Sequence, residues 1–100
     1  NDRQKTGANY DMQAPNSLSV VKPAGQWNKG RIVIKDNHVE HWLNGVKVVD
    51  YVYGSDAWKA QLAKSKFSKW AYATPHAKGK IALQDHGDEV WFNNMRIRTL

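Results

Sequence analysis

Residues Arg31 to Tyr53 read RIVIKDNHVEHWLNGVKVVDYVY, and this stretch decides the fold. Arg31 to Lys35 is rich in β-branched residues and bounded by Gly30 and Asp36-Asn37, which is the composition of a strand. His38 to Leu43 follows directly, so the two runs are expected to pair as an antiparallel hairpin across Asp36-Asn37. Asn44-Gly45 is the strongest local signal in the chain. Both central residues of a type I′ turn need positive φ, which Asn-Gly adopts at least steric cost. Val46 to Tyr53 is then the return strand.

Beyond that strand Gly54 ends the run, and Ser55-Asp56 caps a helix expected over Ala57 to Lys66. Trp58, Leu62 and Ala63 share its inner face, and the lysines point to water. Pro75 closes a loop that holds Trp70 and Tyr72. Lys80 to His86 and Glu89 to Arg98 read as a second strand pair turned at Gly87-Asp88. Toward the N-terminus, Thr6 to Gln13 is a strand candidate around Tyr10, broken by Pro15 and Asn16. Leu18, Val20 and Val21 add a short apolar patch.

Alternation over these hairpins gives an all-β reading with one short helix. The expected architecture is an antiparallel β-sandwich with Ile32, Ile34, Val39, Leu43, Ile81, Leu83, Phe92, Met95 and Ile97 in the core. Parity breaks between Phe92 and Met95, so a bulge is expected near Asn93-Asn94.

The 100 residues suit one domain, 1–100. Hydrophobic residues make up 41% and charged residues 24%, which places the chain among globular rather than disordered proteins. No apolar run approaches the roughly 18 residues that suggest a membrane span. Without cysteine, zinc-thiolate sites and thiol nucleophiles are excluded. The net charge of +6 raises nucleic acid as a partner. The distribution speaks against it: Lys59, Lys64, Lys66 and Lys69 crowd one segment, as on a solvated helix face, and the other cations are scattered.

Polar candidates follow from strand parity. His38, Glu40 and Trp42 share one face of their strand, and Val39, His41 and Leu43 share the other. If Val39 and Leu43 face the core, His41 reads as a buried, hydrogen-bonded imidazole or as a ligand contact. Glu40 reads equally as a site carboxylate or as a cross-strand partner for a cation. Gln84, Asp85 and His86 fall at a strand end beside a glycine turn, where polar groups often converge on ligands. Asp85 also suits turn capping. Trp91 is either a stacking platform for a sugar ring or a core aromatic. Imidazoles with carboxylates admit a divalent metal, but no HxH or HExxH string supports one, so the cofactor stays unassigned.

Several strings are recognisable together. Glu40-His41-Trp42-Leu43-Asn44-Gly45, then Ser65-Lys66-Phe67, then Ile81-Ala82-Leu83-Gln84-Asp85-His86-Gly87-Asp88 and Val90-Trp91-Phe92-x-Asn94 stand in the chain in that order. With these motifs it resembles the 3-keto-disaccharide hydrolase domain family, DUF1080, from about Thr6 onward. The resemblance implies a jelly-roll sandwich of the concanavalin-like lectin and glucanase type. This chain corresponds to its C-terminal half, so the remaining strands are expected from a second chain or a missing N-terminal half. It also implies an oxidised disaccharide or glycoside as substrate and a periplasmic or secreted location.

The implied chemistry differs from ordinary glycoside hydrolysis. A ketone at C3 acidifies the C2 proton, so a base removes it and the C1 substituent leaves by elimination. Such a reaction needs a base of suitable pKa and a group that stabilises an enolate oxygen. His86, Glu40 and Asp85 are the expected catalytic residues. Gln84, Trp42, Trp91 and His41 are expected to bind substrate. A non-catalytic, lectin-like carbohydrate-binding module on the same fold is the alternative.

Overall fold

The computed structural model describes residues 1–70 and 78–100. Its centre is a three-stranded antiparallel sheet in the order β1-β2-β3. The strands are β1 (Gly30–Lys35), β2 (His38–Leu43) and β3 (Val46–Val52), followed by the helix α1 (Asp56–Ala63). Asp36 and Asn37 join β1 to β2 with φ of 51° and 65°, and Asn44 and Gly45 join β2 to β3 with φ of 51° and 84°. Positive φ at both central residues is the type I′ geometry, whose twist matches that of the flanking strands. Both tight turns therefore lie where the sequence places them.

Register runs from Lys35↔His38 to Gly30↔Leu43 in the first hairpin. The second begins with Leu43↔Val46 and Trp42↔Lys47, then shifts at a bulge between His41 and Trp42, so that His41 faces Val49 and Glu40 faces Asp50. Val48 is the extra residue on β3. A bulge lets consecutive side chains turn to one side of a sheet, and Val48 and Val49 are both buried, at 0% and 1% exposure.

Two apolar clusters cover the inner face of this sheet. Leu43, Val48 and Val49 pack with Val20 and Val21, and Met12, Trp58 and Leu62 pack with Tyr51, Tyr53 and Phe67. The N-terminal loops are held in place by polar pins. The Asn16 amide donates to the Val48 carbonyl at 2.7 Å. Asn44 accepts from the Lys29 amide at 2.8 Å and donates to the Val20 carbonyl at 2.6 Å. In α1 the Ser55 hydroxyl accepts from the Trp58 amide at 3.2 Å, which satisfies one of the free donors at a helix start.

Four expectations are corrected. Thr6 to Gln13 is not a strand: it forms turns with one isolated bridge, Asn9↔Gln13, because Asp11 takes φ 59°, outside the β region. The helix stops at Ala63, short of Lys66, where the Lys66 amide leaves the helical ladder to donate to Asp11 at 2.9 Å. Ile32 and Ile34 are not core residues but are 67% and 61% exposed, since β1 is an edge strand with neither cluster packed on it. Lys80 to His86 and Glu89 to Arg98 form no strands, and Ile81, Leu83, Phe92, Met95 and Ile97 are exposed. No strand among the described residues pairs with them, so their backbone has no ladder to join. Gly87 takes φ 92° and Asn94 φ 53°, but with no ladder around them the expected hairpin turn at Gly87-Asp88 and bulge near Asn93-Asn94 are not formed. The loop expected at Pro75 with Tyr72 lies outside the described residues. The second sheet of a sandwich is not formed among the described residues.

Candidate functional site on the outer face of the sheet

The face of the sheet opposite the apolar clusters gathers charge. In the shifted register Glu40 and Asp50 are direct cross-strand neighbours, and Lys47 stands opposite Trp42. The Lys47 ammonium lies 3.1 Å from Asp50 Oδ2 and 3.6 Å from Glu40 Oε2. His38 Nε2 lies 3.2 Å from the same Asp50 oxygen. The Trp42 indole N–H donates to Glu40 Oε1 at 3.3 Å. One ammonium, two carboxylates, an imidazole and an indole thus meet on an exposed surface of paired strands.

The electrostatics follow from these contacts. Hydrogen bonds from Lys47 and then from His38 hold the Asp50 carboxyl below the usual carboxylate range, against a smaller opposing effect of burial. The Asp50 hydrogen bond and charge, with a smaller contribution from Glu40, push the Lys47 ammonium above its ordinary value of 10.5. Lys47 is therefore a fixed positive charge near neutral pH. Such a charge can stabilise an oxyanion that develops next to it.

His38, Glu40 and Asp50 each offer one ligand atom, and these atoms all lie within 4.8 Å of one another. Imidazole and carboxylate oxygens suit zinc or manganese-type ions. Here the Lys47 ammonium already bridges the two carboxylates, so a divalent ion would have to displace it.

The expected site residues separate into two groups. Glu40 and Trp42 lie on the outer face together. His41 lies on the inner face, where Nδ1 is 2.9 Å from the Gly7 carbonyl and the ring meets Tyr51 edge-on at 5.7 Å. Gln84, Asp85, His86 and Trp91 lie on the exposed segment after residue 78, outside the sheet. The Trp91 indole donates to Glu89 at 2.7 Å and is 73% exposed. Glu40 and the residues Gln84, Asp85 and His86 therefore do not stand on adjoining strands among the described residues.

Neither Lys47 nor Asp50 is among the site residues expected from the sequence; the Asn44-Gly45 turn with regular parity sets Lys47 opposite Trp42, whereas Asp50 is the residue that parity misplaces. A regular ladder from the Asn44-Gly45 turn would set Glu40 opposite Val49 and turn Asp50 to the other side. Only the bulge at Val48 brings Asp50 to Glu40, and no glycine or other bulge signal marks that position in the sequence.

A bulged antiparallel sheet with a charged, tryptophan-flanked outer face and a single packed α-helix defines a β-rich domain. The chain belongs to the family of 3-keto-alpha-glucoside-1,2-lyase-like domains, whose model matches residues 1–98. It is similar to a 3-keto-disaccharide hydrolase of Bacteroides thetaiotaomicron, with 37% identity over all of this chain and 37% of that protein. It also superimposes on the crystal structure of a candidate glycosyl hydrolase from Parabacteroides distasonis. That match has a TM-score of 0.64 at 40% identity, over 72% of this chain and 33% of the other. The chain therefore spans about a third of the length of these relatives. Among the described residues no helix is long and apolar enough to cross a membrane.

Proposed function

We propose that this chain contributes to the cleavage of 3-keto-glycosides by C2 proton abstraction and elimination. The observation that carries the reading is the convergence of Glu40, Lys47, Asp50 and His38 beside Trp42 on one face, within a chain of this family. In the proposed reaction a base takes the C2 proton and the electron pair moves onto the C3 carbonyl oxygen as an enolate. The enolate then re-forms the ketone as the C1–O bond breaks, and the leaving oxygen takes a proton. This leaves a C1=C2 double bond, across which water adds to complete a net hydrolysis.

Lys47 is suited to the enolate oxygen, because its charge is fixed and it is 40% exposed at the side chain. Glu40 lies beside it and is suited to a sugar hydroxyl or to proton transfer. His86 remains the proposed general base, since imidazole is the side chain most often used for proton transfer. Asp85 and Gln84 are its proposed neighbours in that role. They join Glu40 only if the segment after residue 78 is brought to the sheet. The same reading takes the strands that complete a jelly-roll from polypeptide outside residues 1–100, and takes the location as periplasmic or secreted.

The test is to incubate the protein with a 3-keto disaccharide and with the unoxidised disaccharide, each with and without a chelator. Consumption of the oxidised sugar alone is expected. Equal turnover of both sugars, or of neither, sinks the reading. Trp42 hydrogen-bonded to Glu40 and the exposed Trp91 favour a second reading as a carbohydrate-binding module. It predicts binding of both sugars without reaction.

A further inference from the structure

A second surface lies on the inner side of the sheet, away from Glu40. Asn9, Tyr10, Phe67 and Trp70 line a cavity of about 320 Å³, near the lower end of the range for small-molecule sites. Phe67 meets Trp70 edge-on at 4.9 Å and tilts toward Tyr10 at 6.5 Å. Trp70 is 56% exposed and Tyr10 40%, so both rings offer surface to solvent. Two polar groups accompany them. The Asn9 side-chain nitrogen is buried without a hydrogen-bond partner, in a residue only 7% exposed. The Lys66 ammonium stands 4.8 Å from the Tyr10 ring centre and 5.3 Å from that of Phe67.

We infer that this cavity binds the pyranose ring of an acidic glycan, a hexuronic acid, with the ring on the aromatic side chains and its carboxylate at Lys66. An apolar wall with a few placed donors is the usual make-up of a small-ligand site, and aromatic faces pack against the C–H face of a pyranose ring. The charge argument selects the acidic sugar. Asp11 is the neighbouring acid; its carboxylate accepts from the Lys66 amide at 2.9 Å and from Gln4 Nε2 at 3.2 Å, and the Lys66 charge acts on it only as a minor influence beside those hydrogen bonds. Lys66 is the cation at these rings, and the net charge of +6 on the chain favours anions in general.

The experiment titrates the full chain with trigalacturonate and with maltotriose, following tryptophan fluorescence and amide NMR shifts. Trigalacturonate is expected to bind at least tenfold more tightly than maltotriose, with the preference shrinking in high salt as screening removes the ammonium–carboxylate attraction. Trp70→Ala is expected to weaken trigalacturonate at least tenfold. Lys66→Met is expected to lower it to the level of maltotriose, with shifts still confined to residues around Asn9 and Tyr10. Equal affinity for the two sugars, unchanged binding in Trp70→Ala, or no binding of trigalacturonate overturns the inference. Neither variant touches the outer face, so turnover of a 3-keto disaccharide reports on that face separately.

Discussion

Residues 30–52 and residues 80–98 both alternate apolar and polar side chains around a turn with positive φ, at Asn44-Gly45 in the first and Gly87 in the second. The first forms a ladder in which the inner face of β2 and β3 is closed by Val20, Val21, Met12 and the α1 residues Trp58 and Leu62. The second has the bend but no ladder, and Ile81, Trp91 and Ile97 stand in solvent. The difference lies in what comes from far along the chain. A two-stranded hairpin alone is marginal in water, and strands persist when a third strand or a packed face covers them. The inner face of β2 and β3 has that cover within the described residues, and residues 80–98 do not.

Truncation of one tryptophan in each region gives the largest contrast. Trp58 is 1% exposed and stacks edge-on against Tyr53 at 4.9 Å. Trp58→Ala should cost about 3–5 kcal/mol in denaturant unfolding, the scale for emptying a core site of an aromatic. Trp91→Ala should fall within about 0.5 kcal/mol, as for an exposed position. Equal costs would mean that residues 80–98 fold together with the sheet in solution.

Catalysis sharpens the same comparison. His86→Ala should lower turnover of a 3-keto disaccharide roughly a hundredfold, the scale for a lost general base. His38→Ala, whose imidazole is held on Asp50, should cost clearly less. Full activity in His86→Ala would move the chemistry to the outer face of the sheet and remove any need for the segment after residue 78 to reach it.

A pair of glycines provides a smaller test. Gly7 has φ 87°, and an added Cβ would lie 3.0 Å from Val48 Cγ2, while its carbonyl meets His41 Nδ1. Gly87 has φ 92° with nothing within 4 Å. Gly7→Ala should cost about 2 kcal/mol from backbone strain and crowding together. Gly87→Ala should cost less, about 1 kcal/mol from the positive φ alone, because no side chain crowds it.

The parts of the molecule that were legible are those set by local rules. The two type I′ turns, the Ser55 cap and the inward faces of Trp58 and Leu62 each follow from a few neighbouring residues. Glu40 and Trp42 share the outer face by parity alone. The bulge at Val48 was not legible, because two adjacent valines carry no mark of which one is extra. Its effect is large: it sets Asp50 beside Glu40 and creates the charged cluster with Lys47. Strand pairing in residues 80–98 was misread for the converse reason. Alternation states what a strand would bury, and says nothing about whether a partner is present.

The smallest expected effect is a dependence of stability on pH, and it tests the tie between the N-terminal turns and the end of α1. The Lys66 amide hydrogen bond holds the Asp11 carboxyl below its ordinary 3.8, against the opposing effect of burial, with Gln4 and the charges of Arg3 and Lys66 adding to the lowering. A carboxyl depressed in the folded chain binds protons more readily when unfolded. Its contribution is therefore complete above the unfolded value and is lost as pH falls through 3.8 toward the lower folded value. Asp50 acts with the same sign, through Lys47 and His38. Denaturant midpoints should thus be flat from neutral pH to about 5 and fall below about 4. Asp11→Asn should lower the midpoint slightly at neutral pH and flatten the acid slope, and Asp50→Asn should flatten it independently. Their effects should add, because one carboxylate sits at the end of α1 and the other on the opposite face of the sheet. An unchanged acid slope in the double variant would show that neither carboxylate contributes to the acid sensitivity of the fold.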